Sequence, residues 1–206
     1  MPSLMSGAKV TIGLFLITLV LSIPLGMLIS VGLRSKFKPL QWILNIYVWL
    51  MRGTPLLLQL IFVFYGLPII GIVFERFPAA IFAFTINYAA YFAEIFRGGL
   101  QSVSRDQREA AELLGLNKWQ TFKFIVLPQV LKIVLPSIGN EVINLVKDSS
   151  LVYVLGIGDL LRAGNVATAR DVTLTPLIMV GLIYLLMTAV LTYLQKKIEQ
   201  RFSYYE

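Results

Sequence analysis

The sequence predicts an all-α, polytopic membrane protein with five transmembrane helices, 1–206 forming a single transmembrane domain, and one polar helical segment outside the bilayer. Three observations carry that reading. Of 206 residues, 57% are hydrophobic and only 14% charged, and the mean hydropathy is +0.78, a composition that does not describe a water-soluble domain. The apolar residues gather in runs long enough to cross a ~30 Å hydrocarbon core, which takes about 20 helical residues each. Between two of those runs lies Glu109 to Pro128, EAAELLGLNKWQTFKFIVLP, which is polar and rich in helix formers.

The first predicted span is 10–33. It is longer than the apolar core of about 7–15 residues in a cleavable signal and lacks both a basic start and a small-x-small site, so it reads as a retained span. The next apolar run, 40–72, is too long for one crossing and carries Gly53, Pro55, Gly66 and Pro68. A helix over 40–65 with a loop after Tyr65 is predicted there, with a break at Gly53 and Pro55 that can open backbone groups to a ligand. A third span follows at 77–99.

The polar segment occupies 104–123. Ser104 and Gln107 have capping-box spacing, so a helix should start near Arg105, with Asp106 and Glu109 in the first turn at the positive end of its dipole. Gly115 is placed to end it, and Asn117 to cap a second helix from Lys118 towards Leu127, with Trp119, Phe122 and Ile125 on one face. Ala110 and Ala111 would leave the exposed helix without bulk, so that a partner could approach its backbone with Arg108 and Glu109 at the edge. An ordinary amphipathic surface helix fits the local chemistry equally well. The fourth span, 124–147, is interrupted by Pro128, Lys132 and Pro136, and the fifth is 172–195, followed by a short tail with Tyr204 and Tyr205.

Basic residues set the orientation, because lysine and arginine concentrate in short cytoplasmic loops. They cluster at Arg34, Lys36 and Lys38, at Arg97 to Lys123, and at Lys196, Lys197 and Arg201. The reading puts the N-terminus outside, the C-terminus in the cytoplasm and segment 104–123 on the cytoplasmic side. The net charge of +7 is therefore topogenic, and no exposed basic domain is left for nucleic acid. Cysteine and histidine are absent, which removes disulfides, thiol nucleophiles and the common zinc sites; no metal or cofactor is implied. There is no phosphate-binding loop of the ATPase type, and Gly156 and Gly158 read as loop hinges. No internal repeat of the kind that builds secondary carriers is evident.

Polar side chains at membrane depth are functional candidates because each costs ~2.5–3.5 kcal/mol to insert when charged. Arg52, Thr54, Asn87, Glu94, Asn140, Glu141, Asn144 and Asp148 form that set, with Arg97 and Lys147 beside it. Asn87 and Glu94 share a helix face, as do Asn140, Asn144 and roughly Asp148. An internal Glu94–Arg97 pair serving assembly is the alternative for those two residues. The aromatics Phe62, Phe64 and Tyr65, and Tyr88, Tyr91 and Phe92, read as packing and interface anchors.

Glu109, Ala110, Ala111 and Gly115, with Val126, Leu127 and Pro128 further on, resemble the EAA loop of permease subunits in bacterial ABC importers. The stretches RGTPLLLQL (Arg52–Leu60), NYAAYFAEIFRGGL (Asn87–Leu100) and KDSSLVYVLGIGDL (Lys147–Leu160) narrow the resemblance to the polar amino acid permease family. It covers most of the chain from Arg52 on, with Ser149 standing where relatives often have threonine. The resemblance implies the type I importer permease fold in the bacterial inner membrane. It also implies two ATP-binding cassette subunits, a second permease copy or homologous permease, and an extracytoplasmic solute-binding protein. It further implies that 104–123 holds the coupling helix, with Arg105, Arg108, Glu109, Ala110, Ala111, Glu112 and Gly115 at the ATPase contact, and that the chain is not an enzyme by itself. An amino acid zwitterion needs a cation for its carboxylate and acceptors for its ammonium, and the surplus of Glu94, Glu141 and Asp148 points to a basic substrate, arginine, lysine or histidine. The competing class is a non-transport scaffold recruiting a soluble partner through its cytoplasmic helix.

Overall fold

The computed structural model describes residues 2–202 as a bundle of helices; Tyr204 and Tyr205 lie outside the described residues. In chain order the helices are α1 (Pro2–Leu33), α2 (Lys38–Gly53), α3 (Leu56–Ile61), α4 (Arg76–Ser102), α5 (Arg105–Leu113), α6 (Lys118–Thr121), α7 (Leu127–Asp148), α8 (Leu160–Asp171) and α9 (Thr175–Phe202). Among the described residues, four helical stretches are long and apolar enough to cross a membrane, and a fifth if the bent pair α2 and α3 counts as one span.

Packing is arranged for a bilayer. α1 has large apolar side chains on every side, so hydrophobicity does not choose its buried face; small residues do. Gly7, Thr11, Thr18, Ser22, Gly26 and Ser30 point inward at helical spacing, while Val20, Leu28 and Val31 are exposed. Lipid is as apolar as leucine, so close backbone approach is what helix association gains from. At Gly26 a Cβ would sit 2.7 Å from the Phe92 Cβ and 3.0 Å from backbone atoms of Ala89 and Ala93, so α1 and α4 touch nearly backbone to backbone. The alanine-rich face of α4, with Phe84, Tyr88 and Phe92, is the centre of the core.

The run predicted as one helix over 40–65 is bent by 107° between α2 and α3. α3 then continues through a π turn, Phe62–Gly66, and a 3-10 turn, Leu67–Ile70. The helix from Lys118 does not stop before Pro128 either: α6 passes through a π turn, Phe122–Val126, into α7, and a 3-10 segment, Ser149–Leu155, extends it. Both π turns end two residues before a proline, in the related heptapeptides FVFYGLP (62–68) and FKFIVLP (122–128). Proline cannot donate to the carbonyl four residues back and clashes with it, and widening the preceding turn relieves both problems. The two heptapeptides are a local echo and not a repeat of the whole fold.

Candidate functional site

The break between α2 and α3 opens a cavity, and its chemistry begins with one missing proton. In an unbroken helix the Met51 carbonyl would accept from residue 55, but Pro55 has no N–H. Side chains replace that donor. Gln59 Nε2 donates to Met51 O at 2.9 Å and Asn87 Nδ2 at 3.0 Å. Gln59 Nε2 also reaches Thr54 Oγ1 at 2.7 Å, and its own Oε1 accepts from Asn87 Nδ2 at 2.9 Å. The Thr54 hydroxyl turns back to donate to Leu50 O at 2.8 Å. Tyr47, whose hydroxyl donates to the Ile86 carbonyl, ties α2 to α4 beside this clamp.

The cavity beside the clamp has a volume of about 620 Å³, a size suited to a small polar molecule. Arg52 and Thr54 from the break, Asn87, Tyr88 and Tyr91 from α4, and Glu141, Asn144 and Asp148 from α7 line it. The Arg52 guanidinium lies 5.3 Å from the Tyr91 ring centroid, a cation–π contact, and its Nη1 is 3.9 Å from Glu94 Oε1. The Tyr88 hydroxyl donates to Asp148 Oδ2 at 2.7 Å. The wall thus carries two carboxylates, one guanidinium and several neutral hydrogen-bonding groups.

Six of the eight residues picked from the sequence line this space; Glu94 and Asn140 do not. Glu94 lies two turns along α4 from Asn87, where Arg97 holds it through Nε at 2.8 Å and through Nη2, with Gln101 accepting from Arg97 Nη1 at 2.9 Å. Asn140, one position from Glu141, is turned about 100° around the helix onto an exposed face. Lys147 is likewise exposed and off the cavity wall. Asn87 is only 3% exposed, and both its amide protons serve the clamp, which leaves its carbonyl oxygen for a ligand. Sequence reasoning passed over Gln59, though a lone amide inside LLLQLIF was a signal, and it treated Tyr88 and Tyr91 as packing when both line the cavity.

The polar segment forms a second site at one end of the bundle. Asn117 caps α6 through a complete capping box with Gln120, each side chain meeting the other's backbone N–H at 2.9 Å. Gly115 ends α5 at φ +78°; its N–H donates to Glu112 O and that of Leu116 to Ala111 O, both at 3.0 Å, a Schellman closure. The box predicted at Ser104 is not made: Ser104 holds the cap position without a side-chain bond, and Gln107 instead accepts from Gln129 at 2.5 Å. The two alanines differ. Ala110 is exposed with Arg105, Glu109 and Glu112, whereas Ala111 is 2% exposed and packs inward. Arg108 also turns inward, its Nη2 donating to Leu100 O at 3.0 Å. Leu113 and Leu114, read from the sequence only as helix formers, are 90% and 82% exposed at the tip.

The sequence profile of the family described as "Binding-protein-dependent transport system inner membrane component" matches residues 22–204. The chain is 38% identical to the arginine transport system permease protein ArtQ of Bacillus subtilis (strain 168), over 97% of this chain and 92% of that one. It is 41% identical to the probable glutamine ABC transporter permease protein GlnM of the same organism, over 96% and 94% of the two chains. A chain in the crystal structure of an amino acid ABC transporter with histidines superposes with a TM-score of 0.90 at 34% identity, covering 97% of this chain and 94% of that chain.

Proposed function

This chain belongs to the family of binding-protein-dependent transport system inner membrane components, and on that premise we propose that its cavity passes basic amino acids. It is a multi-pass inner-membrane permease of an ABC amino acid importer, with the ATPase on a separate subunit and a binding protein among its partners. That membership removes the ground for a non-transport scaffold. The observation that carries the substrate reading is the balance of charge on the cavity wall. Glu141 and Asp148 face a single cation, Arg52, whose charge is already drawn towards Glu94. A zwitterion with a cationic side chain fits this set: its carboxylate meets Arg52, and its two cationic groups meet the two carboxylates. The relatives named for arginine and crystallised with histidines support that reading, whereas the relative named for glutamine points to a neutral substrate.

In the proposed assembly two permeases, this chain with a copy of itself or a homologue, sit above two ATP-binding subunits, and the solute-binding protein delivers from outside. The N-terminus lies outside and the C-terminus and α5 in the cytoplasm, as the basic loops direct. α5 is the coupling helix. Arg105, Glu109, Ala110 and Glu112 meet the ATPase, Gly115 sets the turn that presents them, and Ala111 and Arg108 fix the helix to the bundle from behind. Closure of the ATPases then biases the pathway between inward-facing and outward-facing states. The test is uptake of labelled arginine, lysine, histidine, glutamate and glutamine into vesicles holding the complete transporter, with and without ATP. ATP-dependent uptake of the basic set is expected; uptake confined to glutamine or glutamate would overturn the charge reading and leave the importer standing.

A further inference from the structure

A second cavity, about 700 Å³, lies between α5 and the ends of α1 and α4 on the face that carries the coupling segment. Its lining is of two kinds. Arg34, Arg108 and Lys118 converge on it, with Glu112 as the one acid, and Val31, Leu40, Leu100, Phe122 and Val126 make apolar walls. None of its three cations is in an ion pair among the described residues. Arg108 spends one N–H on Leu100 O, and its buried Nε has no partner. Partial burial first and the like charge of Arg108 second hold the Arg34 guanidinium below its ordinary range. The loop that places Arg34 is fastened: Gln41 Nε2 donates to Leu33 O at 3.0 Å, and Phe37 N to Ser35 Oγ at 3.1 Å. Three cations lining one cleft with a single carboxylate, none of them in an ion pair, are a cost that an anion would reduce.

We propose that this cleft binds an anionic phospholipid, its phosphate between Arg34 and Arg108 and its acyl chains along the Val31 side of α1. The mixed lining selects a lipid over a free anion. Val31 and Leu40 are themselves exposed, and Val31 continues into Leu28 on the outward face of α1, so the apolar wall runs from the cleft to the bilayer. The cleft opens where α1 ends at Leu33 and α2 begins at Lys38, and the ends of spanning helices are where lipid headgroups lie. Basic pockets between helices at that level take phosphate headgroups, each cation contributing about 1 kcal/mol. A lipid there would brace α5 against the bundle, which ties the anionic content of the membrane to the element that meets the ATPase.

The experiment is native mass spectrometry of the transporter complex released from nanodiscs of phosphatidylcholine with graded phosphatidylglycerol, with retained lipid counted and no transport step involved. Wild type is expected to retain phosphatidylglycerol in preference to phosphatidylcholine. Arg34→Gln is expected to weaken that retention about five-fold, Arg34→Lys to keep most of it, and Lys36→Gln, on the same loop but off the cleft, to match wild type. Equal retention by wild type and Arg34→Gln overturns the proposal, as does an equal loss in Lys36→Gln, which would mark a general surface charge effect. Displacement of the lipid by millimolar inorganic phosphate would also overturn it by assigning the cleft to a free anion. Arg34→Lys guards against misfolding, since a variant that assembles and keeps its charge must keep its lipid.

Discussion

The Met51 carbonyl shows how far a single atom reaches in this protein. It is deprived of a donor by Pro55 and is satisfied only because α3 and α4 each deliver an amide to it. Gln59→Leu removes one of those amides, orphans a proton of Asn87 and frees Thr54. An unsatisfied buried polar group costs about 1–3 kcal/mol, so the melting temperature of the purified complex should fall by several degrees, read by thermal shift in detergent. A melting curve unchanged by the substitution would mean that water does the work assigned to Gln59. Asn87 was legible in the sequence as a polar residue at membrane depth. Its task was not, because the group it serves is a backbone oxygen that no side-chain pattern displays. Tyr88 and Tyr91 were hidden for a related reason: an aromatic on a buried helix face looks the same whether it packs or lines a cavity, and only the position of Asp148 across from it decides.

Elements differ in what their sequence reveals, and the polar segment 104–123 was the plainest because turns have strict chemistry. Gly115 could be read as a stop, and its φ of +78° gives the reason, since a β-branched residue there costs roughly 1–2 kcal/mol. Gly115→Val should therefore lower co-purification of the ATP-binding subunit while the permease itself remains in the membrane. The neighbouring alanines give a sharper comparison. Ala110 is exposed, so Ala110→Trp should lose the partner without changing the stability of the isolated permease, whereas Ala111→Trp, at a buried position, should destabilise the permease even alone. If both variants behave alike, α5 is seated differently from the arrangement here. What the sequence hid was continuity: Pro128 looked like a boundary, but a π turn carries the helix through it. The face of α1 went unread for another reason: it is marked by a stripe of small residues, Gly7, Thr11, Thr18, Ser22, Gly26 and Ser30, and not by a stripe of hydrophobicity. Gly26→Val tests the face now seen. Its side chain would collide with Phe92 and the α4 backbone, an overpacking worth about 1–3 kcal/mol, read as loss of assembled complex on extraction.

At the scale of the molecule, composition and run length made the fold class legible, since both report directly on the solvent. Which polar groups share a space depended on helix bends, and those depend on prolines whose outcome, a π turn or a sharp bend, is decided by surroundings. The 107° bend at Gly53 to Pro55 is what carries Arg52 against Tyr91 and across from Glu141 and Asp148, while Glu94, two turns along α4 from Asn87, is held at shorter range by Arg97 than by Arg52. This geometry makes a prediction about selectivity as a whole. Glu141→Gln keeps shape and hydrogen bonding but removes one of two negative charges from the wall, and a hydrogen bond to a charged group is worth about 1.5–3 kcal/mol. The apparent KM for arginine in ATP-driven uptake should rise about ten-fold, and that for glutamine, if it is carried at all, should change little. Asp148→Asn keeps an acceptor for Tyr88 and should act in the same direction, because the effect belongs to the field in the cavity and not to one contact. A loss equal for arginine and glutamine in both variants would mean that the carboxylates hold the pathway together without reading its cargo, and would move the choice of substrate to the binding protein.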